Sequence, residues 1–263
     1  MKIKFVTLNI FNGNFLAKSI DFLKKENPEI FVLQEVSRGG VEDGEKRYRS
    51  CEIIKSEFND YFCFYTPENY KFINKIKVDS GNAVFSRFPI LEQEFTYYSR
   101  QYSERKEETP TEFISAPRNL QSCRIKIKNK VLNIFNTHGI WGFDGRDNKE
   151  RLRMGETISA KVKGLKNVIL AGDFNLSPDT ETIKKIEKHL RNVFKDELKT
   201  TFNMKIKTEV VNKLYFFDRN DLKGFARAVV DMVFVSPDLK VVDKYQPRVD
   251  ASDHYPLVII VEI

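Results

Sequence analysis

The segment NVILAGDFNLSPD, residues 167–179, places a short apolar run directly before Asp173 and Asn175. A run of this length bounded by turn residues predicts a buried β-strand, with the polar side chains at its C-terminal end. Asp179 and Glu181 follow, and acidic residues favour the start of a helix, here TETIKKIEKHL. The segment therefore predicts a strand that ends in polar groups and is followed by a helix.

The same arrangement recurs along the chain. IKFVTLN ends at Asn9, EIFVLQEV ends close to Glu35, and ARAVVDMVFV contains Asp231. Between the first two runs, the apolar residues of LAKSIDFLKKEN recur at helical spacing before a proline. This order of strand, helix and strand predicts a layered α/β fold. Because strand signals extend from one end to the other without a repeat or linker, we expect one domain over residues 1–263.

Three further segments have clear patterns. In SCRIKIK, Cys123, Ile125 and Ile127 alternate with basic residues, which predicts a strand with one solvated face. Residues 148–163 are predicted to form a helix. Residues 98–118 are polar and lack a helical period, which predicts a long loop that is either functional or irregular.

Charge and cysteine content restrict the function classes. Lys and Arg total 44 against 37 Asp and Glu, and this net charge of +7 suits either a nucleic-acid partner or lysines on solvated helix faces. Three cysteines without C-x-x-C spacing predict neither a disulfide framework nor a zinc site, and favour a reducing compartment. Because neither a membrane span nor a signal peptide is predicted, we expect a cytoplasmic protein.

The polar residues at or near these strand ends are of the types that a metal-dependent hydrolytic site needs. They are Asn9, Glu35, Asp173, Asn175, Asp231 and Asp253, with His138 and His254 beside them. Carboxylate and amide oxygens suit Mg²⁺, and phosphoester hydrolysis also needs an oriented water and stabilisation of the charge that develops at phosphorus. Any one of these residues is equally well explained as a turn former. The complete ordered set indicates a hydrolytic site.

Seven segments carry a family resemblance. They are TLNI at residues 7–10, LQEV at 33–36, GNAVFSRFPI at 81–90, NTH at 136–138, AGDFN at 171–175, VVDMVFVS at 229–236 and SDHYPL at 252–257. Over nearly the whole chain they resemble the endonuclease/exonuclease/phosphatase superfamily, also called deoxyribonuclease I-like. The resemblance implies a metal-dependent phosphoester hydrolase with a four-layer α/β/β/α sandwich of two packed mixed sheets flanked by helices.

The resemblance also implies roles around a metal centre. Asn9, Glu35 and Asp253 would bind one or two Mg²⁺ ions, for which Mn²⁺ could substitute, and Glu35 would be the direct carboxylate ligand. Asp173 would orient and deprotonate the attacking water. Asn175 would donate hydrogen bonds to the developing oxyanion or help to hold a second ion.

The remaining implied roles belong to two histidines. His254, oriented by Asp231, would contact the phosphate or act as acid or base, and His138 would stabilise the transition state from the opposite side. Met232 departs from the aromatic residue that relatives often carry. Asn82 departs from deoxyribonuclease I-like enzymes, because no carboxylate stands there to support His138. We expect Asn82 to contact phosphate, as in sphingomyelinase-like relatives, which argues against a duplex-DNA nuclease.

The substrate would be chosen by the loops that border the site. These are expected at residues 38–46, 97–118, 140–151 and 202–227. Trp141 in the third loop and Arg227 in the fourth are predicted to bind substrate, and the fourth also carries Tyr215 and Phe216. Aromatic and basic side chains together suit unpaired bases and their phosphates, although loop packing uses the same residue types.

Three functions are weighed on this basis. A phosphodiesterase or nuclease acting on DNA or RNA is favoured. A phosphodiesterase or phosphatase for small or lipid-linked phosphoesters, either sphingomyelinase-like or specific for sugar or inositol phosphates, would need a narrow pocket and an apolar hairpin, and the sequence shows no clear hairpin of that kind. A binding protein without catalysis fits poorly with a complete set of catalytic residues, and no protein partner is indicated.

Overall fold

The computed structural model of the protein describes residues 1–107, 109–213, 217 and 219–263. In chain order the strands are β1 (Lys2–Asn9), β2 (Ile30–Arg38), β3 (Phe62–Ile73), β4 (Ile76–Ser86), β5 (Ile90–Tyr97), β6 (Ser103–Glu104), β7 (Asn119–Ile127), β8 (Lys130–His138), β9 (Val168–Asp173), β10 (Arg191–Asn192), β11 (Asp231–Val235), β12 (Lys240–Tyr245) and β13 (Leu257–Glu262). The helices are α1 (Leu16–Glu26), α2 (Ser50–Glu57), α3 (Pro110–Ser115), α4 (Lys149–Val162), α5 (Glu181–Glu187), α6 (Met204–Lys213) and α7 (Arg219–Phe225).

Within the described residues, the strands form two mixed sheets. The seven-stranded sheet has the order β12-β13-β1-β2-β4-β3-β6, and the six-stranded sheet has the order β10-β11-β9-β8-β7-β5. The first and last strands of the chain, β1 and β13, pair antiparallel. Helices flank both sheets, so the four-layer α/β/β/α sandwich implied by the motifs is confirmed.

Apolar side chains fill three layers between these elements. The central core lies between the sheets and includes Phe5, Val32, Ile134 and Ile169. A second cluster packs α1 and α2 on the outer face of the first sheet, and a third packs α4 and α5 on the outer face of the second. Because central strands are covered on both faces, their sequences are nearly continuous apolar runs.

Local sequence accounts for several element boundaries. Strand β7 places Cys123, Ile125 and Ile127 in the central core, as its alternation predicts. Helix α4 begins after Asn148, whose side chain accepts a hydrogen bond from the backbone N–H of Arg151 at 2.9 Å. This confirms the helix predicted near residues 148–163.

The start of α5 differs from its prediction. Asp179 was expected to start this helix, but its carboxylate instead pairs with Arg146 at 2.7 Å. The carboxylate of Asp147, from a distant loop, accepts hydrogen bonds from the backbone N–H groups of Glu181 and Thr182, at 2.7 and 3.1 Å. Because Asp147 lies 34 residues before Glu181, no local sequence pattern predicts that it caps this helix.

Two predicted loops contain regular structure. Residues 98–118 include the short β6 and α3, and residues 202–227 include α6 and α7. Strands β3 and β4 continue past the point where β2 stops pairing at Arg38, and form a hairpin whose tip exposes 53% of Phe72. This apolar hairpin was missed in the sequence. Among the described residues, none of the helices combines the length and apolar character needed to cross a bilayer.

Candidate active site

Strand register brings the predicted residues together. Asp173 ends β9, and register places His138 of β8 on one side of it and Asp231 of β11 on the other. In the first sheet, Asn9 ends β1 and is the register partner of Gln34, the residue before Glu35. The carboxyl ends of β1, β2, β8 and β9 and the amino end of the antiparallel β11 therefore meet at one edge of the sandwich, where α/β proteins commonly bind ligands.

A cleft of about 610 Å³ opens above these strand ends. The predicted residues that line it are Glu35, His138, Asp173, Asn175, Asp253 and His254. Asn9 and Asp231 are buried behind that surface, where they hold the lining residues by hydrogen bonds. The predicted catalytic and metal-binding residues therefore form one continuous group, which we call the floor of the cleft.

Glu35 reaches the cleft through a break in strand pairing. The register of β2 against β4 shifts between Leu33 and Val36, and Glu35 has a φ of 57°, a left-handed conformation that is costly for a residue with a side chain. Its carboxylate accepts hydrogen bonds from the amides of Asn9, at 3.1 Å, and Asn12, at 2.5 Å. Asn12 was not predicted, because it lies in a short turn after β1 without a recognisable motif.

The donor atoms fit a hard divalent cation. Glu35 keeps 20% of its side chain exposed and offers carboxylate oxygens, which Mg²⁺ and Mn²⁺ prefer. One ligand atom each from Asp173, Asp231 and His254 lies within 4.8 Å of the others, a second grouping able to hold a metal. No thiol takes part in either of these groupings.

Asp253, a predicted metal ligand, has a cationic partner. Lys207 of α6 places its Nζ 2.9 Å from Asp253 Oδ2. Burial would raise the pKa of Asp253, but the Lys207 charge holds it below its ordinary value. Lys207 also lines the cleft, and it was missed because α6 lies inside a predicted loop.

His254 is buttressed by a carboxylate. Its Nδ1 lies 2.8 Å from Asp231 Oδ2, and its Nε2 lies 3.9 Å from Asp173 Oδ2. Burial alone would lower the pKa of His254, but the charges of Asp231 and Asp253 raise it to about 10. The neighbouring carboxylates therefore favour the protonated imidazole.

His138 has a different environment. Its Nδ1 lies 3.0 Å from Arg118 Nη1 and 3.4 Å from Glu68 Oε2, and Arg118 binds Glu68 at 2.8 Å. Neither Arg118 nor Glu68 was predicted. Glu68 could have been suspected, since it is a charged residue within an aromatic strand, but the contact spans 50 residues of sequence.

Asn82 does not have the position expected of a phosphate contact. Its side chain is fully buried and donates to Glu68 Oε1 at 3.0 Å and to Asn119 Oδ1 at 3.1 Å. The expectation that Asn82 contacts phosphate is therefore corrected, because its amide is committed to the interior. A carboxylate from the neighbouring strand β3, Glu68, lies 3.4 Å from His138 Nδ1.

Asp173 and Asn175 share a tight turn after β9. The backbone N–H of Asn175 donates to Asp173 Oδ1 at 2.9 Å, and the Asn175 amide donates to the carbonyl of Gly139 at 3.1 Å. Asn175 has a φ of 53°, which asparagine tolerates better than most residues. The turn leaves Asp173 Oδ2 facing both histidines and Asn9, which donates to it at 3.1 Å.

Two groups of side chains line the mouth of the cleft. The basic group, from the first sheet and its loops, contains Arg47, Lys71 and Arg105. The aromatic group, from loops of the second sheet, contains Trp141, Phe143 and Phe217. Arg227 also lines the cleft and is exposed, whereas Tyr215 and Phe216 lie outside the described residues.

The rings of the aromatic group contact one another. The centroid of Trp141 is 4.8 Å from that of Phe143 and 6.4 Å from that of Phe217. Trp141 therefore both packs within its loop and faces the cleft. The sequence left open whether Trp141 packs against its loop or contacts a ligand, and its position allows both.

Comparison with known proteins gives one sequence match and many structural ones. The sequence matches the model for the endonuclease/exonuclease/phosphatase family over residues 6–254, and no curated protein sequence matches significantly. The fold is similar to an endonuclease/exonuclease/phosphatase from Beutenbergia cavernae, with a TM-score of 0.71 and 16% identity, covering 100% of this chain and 72% of that one.

Two other solved structures have named activities or ligands. D. rerio TDP2 complexed with single strand DNA product has a TM-score of 0.69 and 14% identity, covering 100% of this chain and 99% of that one. A Bacteroides thetaiotaomicron mannosyl-6-phosphatase has a TM-score of 0.66 and 18% identity, covering 99% of this chain and 100% of that one. At these identities the similarity shows the shared fold.

Proposed function

Because the chain belongs to the endonuclease/exonuclease/phosphatase family and is a phosphoester hydrolase, we propose that it is a Mg²⁺-dependent phosphodiesterase acting on DNA or RNA. The observation that carries this proposal is the cleft itself. Its basic group and its aromatic group share one opening above the floor. Basic side chains neutralise phosphates and aromatic rings stack on unpaired bases, so the two groups together suit a nucleic-acid strand.

The proposed catalytic unit is the whole chain, residues 1–263, in a reducing cytoplasm. Pairing of β1 with β13 supports one domain, because residues near both ends contribute to the same sheet. Asn9 at the end of β1 and Asp253, shortly before β13, both belong to the floor. Removing either end would therefore remove part of the site.

In the proposed mechanism Asp173 orients and deprotonates the attacking water. Its Oδ2 is the point on which Asn9 and both histidines converge, and a water bound there would contact charged and polar groups on several sides. Asn175, which lines the cleft beside Asp173, would contact the developing oxyanion. Mg²⁺ or Mn²⁺ held at Glu35, with Asn9 and Asp253 nearby, would polarise the phosphoryl oxygens.

The histidines would stabilise charge on the phosphoryl group. His254, protonated because Asp231 supports it, would donate a hydrogen bond or a proton from Nε2. His138 would donate from the other side of Asp173. The additional negative charge that develops between two such donors is stabilised more than the singly charged ground state, which is the requirement for catalysis.

Substrate contacts are proposed for Trp141 and Arg227 at the mouth. Trp141 is half-buried and presents a ring to the cleft, and Arg227 is exposed at its edge. Asn82 is not proposed as a substrate contact, since its side chain is buried.

A second candidate is a phosphodiesterase or phosphatase for small or lipid-linked phosphoesters. The cleft volume of about 610 Å³ lies within the range of small-molecule pockets. The exposed Phe72 at the β3–β4 hairpin tip, flanked by Lys71 and Lys75, also suits an anionic lipid surface. These observations justify including sugar phosphates and lipid phosphoesters in the test.

The deciding experiment is a substrate screen of the purified protein with Mg²⁺. Single- and double-stranded DNA and RNA, an abasic duplex, phosphorylated sugars and sphingomyelin vesicles would be compared, with Asp173→Asn as the blank. We expect single-stranded oligonucleotides to be cleaved fastest, and Trp141→Ala to raise their KM while Phe95→Ala, an exposed aromatic outside the cleft, does not. Selective hydrolysis of a sugar phosphate or of sphingomyelin would favour the second candidate.

Metal dependence is tested by chelation. Exhaustive removal of divalent cations should abolish hydrolysis, and Mg²⁺ or Mn²⁺ should restore it, because the floor gathers carboxylates that need a cation to bind an anionic substrate. Glu35→Gln should raise the Mg²⁺ concentration needed for half-maximal activity. Undiminished hydrolysis after chelation would rule out the metal-dependent mechanism.

A further inference from the structure

The Nδ1 atoms of the two floor histidines have partners of opposite hydrogen-bonding character. His254 Nδ1 lies 2.8 Å from a carboxylate oxygen of Asp231, whereas His138 Nδ1 lies 3.0 Å from Nη1 of Arg118. A carboxylate accepts hydrogen bonds, and a guanidinium only donates them. The two imidazoles are therefore held in different protonation patterns by their neighbours.

The direction of the Arg118 hydrogen bond decides where His138 carries its proton. Because every guanidinium nitrogen bears hydrogen and has no available lone pair, Nδ1 must be the acceptor. A neutral imidazole whose Nδ1 accepts carries its hydrogen on Nε2. Glu68 Oε2 is also near Nδ1, but at 3.4 Å it is beyond ordinary N–H···O length, and it has a shorter partner in Arg118 at 2.8 Å.

Groups on the other side of the ring favour the same tautomer. Nε2 lies 3.8 Å from Glu35 Oε1 and 3.8 Å from Asp173 Oδ2. Two negatively charged acceptors near Nε2 stabilise a hydrogen on that nitrogen. The ring therefore has a donor behind it and acceptors in front of it.

We propose that Arg118 is a positioning residue that fixes His138 as the Nε2–H tautomer, so that His138 serves as a hydrogen-bond donor in the cleft. Only the identity of the group that receives this hydrogen bond rests on the proposed function. The tautomer itself is a property of the free protein.

The frame around Arg118 is rigid enough for such a role. Its side chain is 7% exposed, and its partner Glu68 is fully buried. The amide of Asn82 holds the other oxygen of Glu68 at 3.0 Å. These contacts explain why a polar residue is buried at position 82. The Asn82 amide orients Glu68, and Glu68 in turn orients Arg118.

Nitrogen NMR of the free protein tests the tautomer directly. The chain has three histidines, so ¹⁵N-histidine spectra can be assigned with His189→Gln and His138→Gln. We expect His138 to show a protonated Nε2 and an unprotonated Nδ1. Arg118→Met should shift its hydrogen to Nδ1, facing Glu68, while Arg118→Lys, which still only donates, should keep the wild-type pattern. Arg124→Met, half-exposed on strand β7 six residues after Arg118, is the matched control and should change nothing.

Kinetics of His138 variants provide the second readout. With bis(p-nitrophenyl) phosphate and Mg²⁺, His138→Gln, which retains an N–H donor, should be at least about 10-fold more active than His138→Ala, since a lost transition-state donor costs about 100-fold or more. Equal activity of the two variants would contradict a donor role.

The outcomes separate this inference from the proposed function. A protonated Nδ1 on His138 in the wild-type protein would overturn the inference even if the protein cleaves nucleic acid. Conversely, failure to hydrolyse any phosphodiester with the Nε2–H pattern present would overturn only the proposed function. If Arg118→Met does not fold, the wild-type and Arg118→Lys spectra still decide.

Discussion

His138 and His254 flank the same carboxylate at nearly equal distances, 3.8 and 3.9 Å from Asp173 Oδ2, but differ in what lies behind them. Behind His254, Asp231 favours the protonated ring, since burial lowers the pKa of His254 but the charges of Asp231 and Asp253 raise it to about 10. Arg118 instead places a hydrogen-bond donor 3.0 Å from His138 Nδ1, where His254 has an acceptor. The difference shows that the neighbour behind a histidine, more than its place in the cleft, sets what it contributes.

The largest expected effect is the loss of the central carboxylate or of the charged histidine. Asp173→Asn or His254→Ala should lower kcat by roughly 1,000-fold or more, because each removes stabilisation that exists only in the transition state. His138→Ala should cost less, about 100-fold, as expected for one donor. Turnover of a phosphodiester with Mg²⁺, measured beside thermal unfolding, tests this order.

Asp179→Asn is the matched control for these substitutions. Its side chain is 67% exposed and pairs with Arg146 at the surface, six residues beyond Asp173. Its kcat should equal that of the wild type. Full activity in purified Asp173→Asn, or a greater loss in His138→Ala than in His254→Ala, would break the comparison between the two histidines.

The floor could be predicted because each of its residues follows a local signal. Strand β1 ends at Asn9 and strand β9 ends at Asp173, each after an apolar run. The parallel pairs β1–β2 and β8–β9 bring the carboxyl ends of these strands to the same edge of the sandwich. The support behind His138 could not be predicted in this way. Arg118 meets Glu68 and His138 across 50 and 20 residues of sequence, and only the pairing of β3, β4, β7 and β8 aligns them.

The mouth of the cleft was predicted only in part for a related reason. The loop after β8 was expected and does contribute Trp141, but α6 was taken for loop because it buries only Ile206 and Val211. Two buried positions give a weak helical period. As a result Lys207, which α6 carries onto Asp253, had no signal in the sequence.

A smaller effect is expected behind His254. Asp231→Asn keeps a hydrogen-bond acceptor for Nδ1 but removes the charge, so kcat should fall about 100-fold while KM changes little. The comparable change behind His138, Arg118→Lys, should cost less than 10-fold, because a donor and a positive charge both remain. Steady-state kinetics of Asp231→Asn and Arg118→Lys measure the two losses of kcat. A larger loss of kcat in Arg118→Lys than in Asp231→Asn would contradict the proposed difference between the two histidines.

A further effect on activity is expected at Glu68, one residue further from the cleft. Glu68→Gln should lower kcat about 10-fold, since it orients His138 only through Arg118. Its main effect should be on stability. Burial would raise the pKa of Glu68, but the charge of Arg118 holds it below the ordinary value of 4.5, so the ionised form favours the folded state. A carboxylate with a depressed pKa stabilises the protein above its unfolded-state pKa, and this stabilisation is lost as the pH falls.

The variant should therefore unfold more easily than the wild type at pH 7, by roughly 3 kcal/mol for a broken buried ion pair, and the difference should shrink below about pH 4.5. Urea unfolding at neutral and acidic pH measures both values. Glu92→Gln, which breaks the exposed pair with Arg124, should unfold like the wild type at both pH values. A difference for Glu68→Gln that grows as the pH falls would mean that Glu68 is protonated in the folded protein, and the anchor of Arg118 behind His138 would then be a neutral hydrogen bond instead of an ion pair.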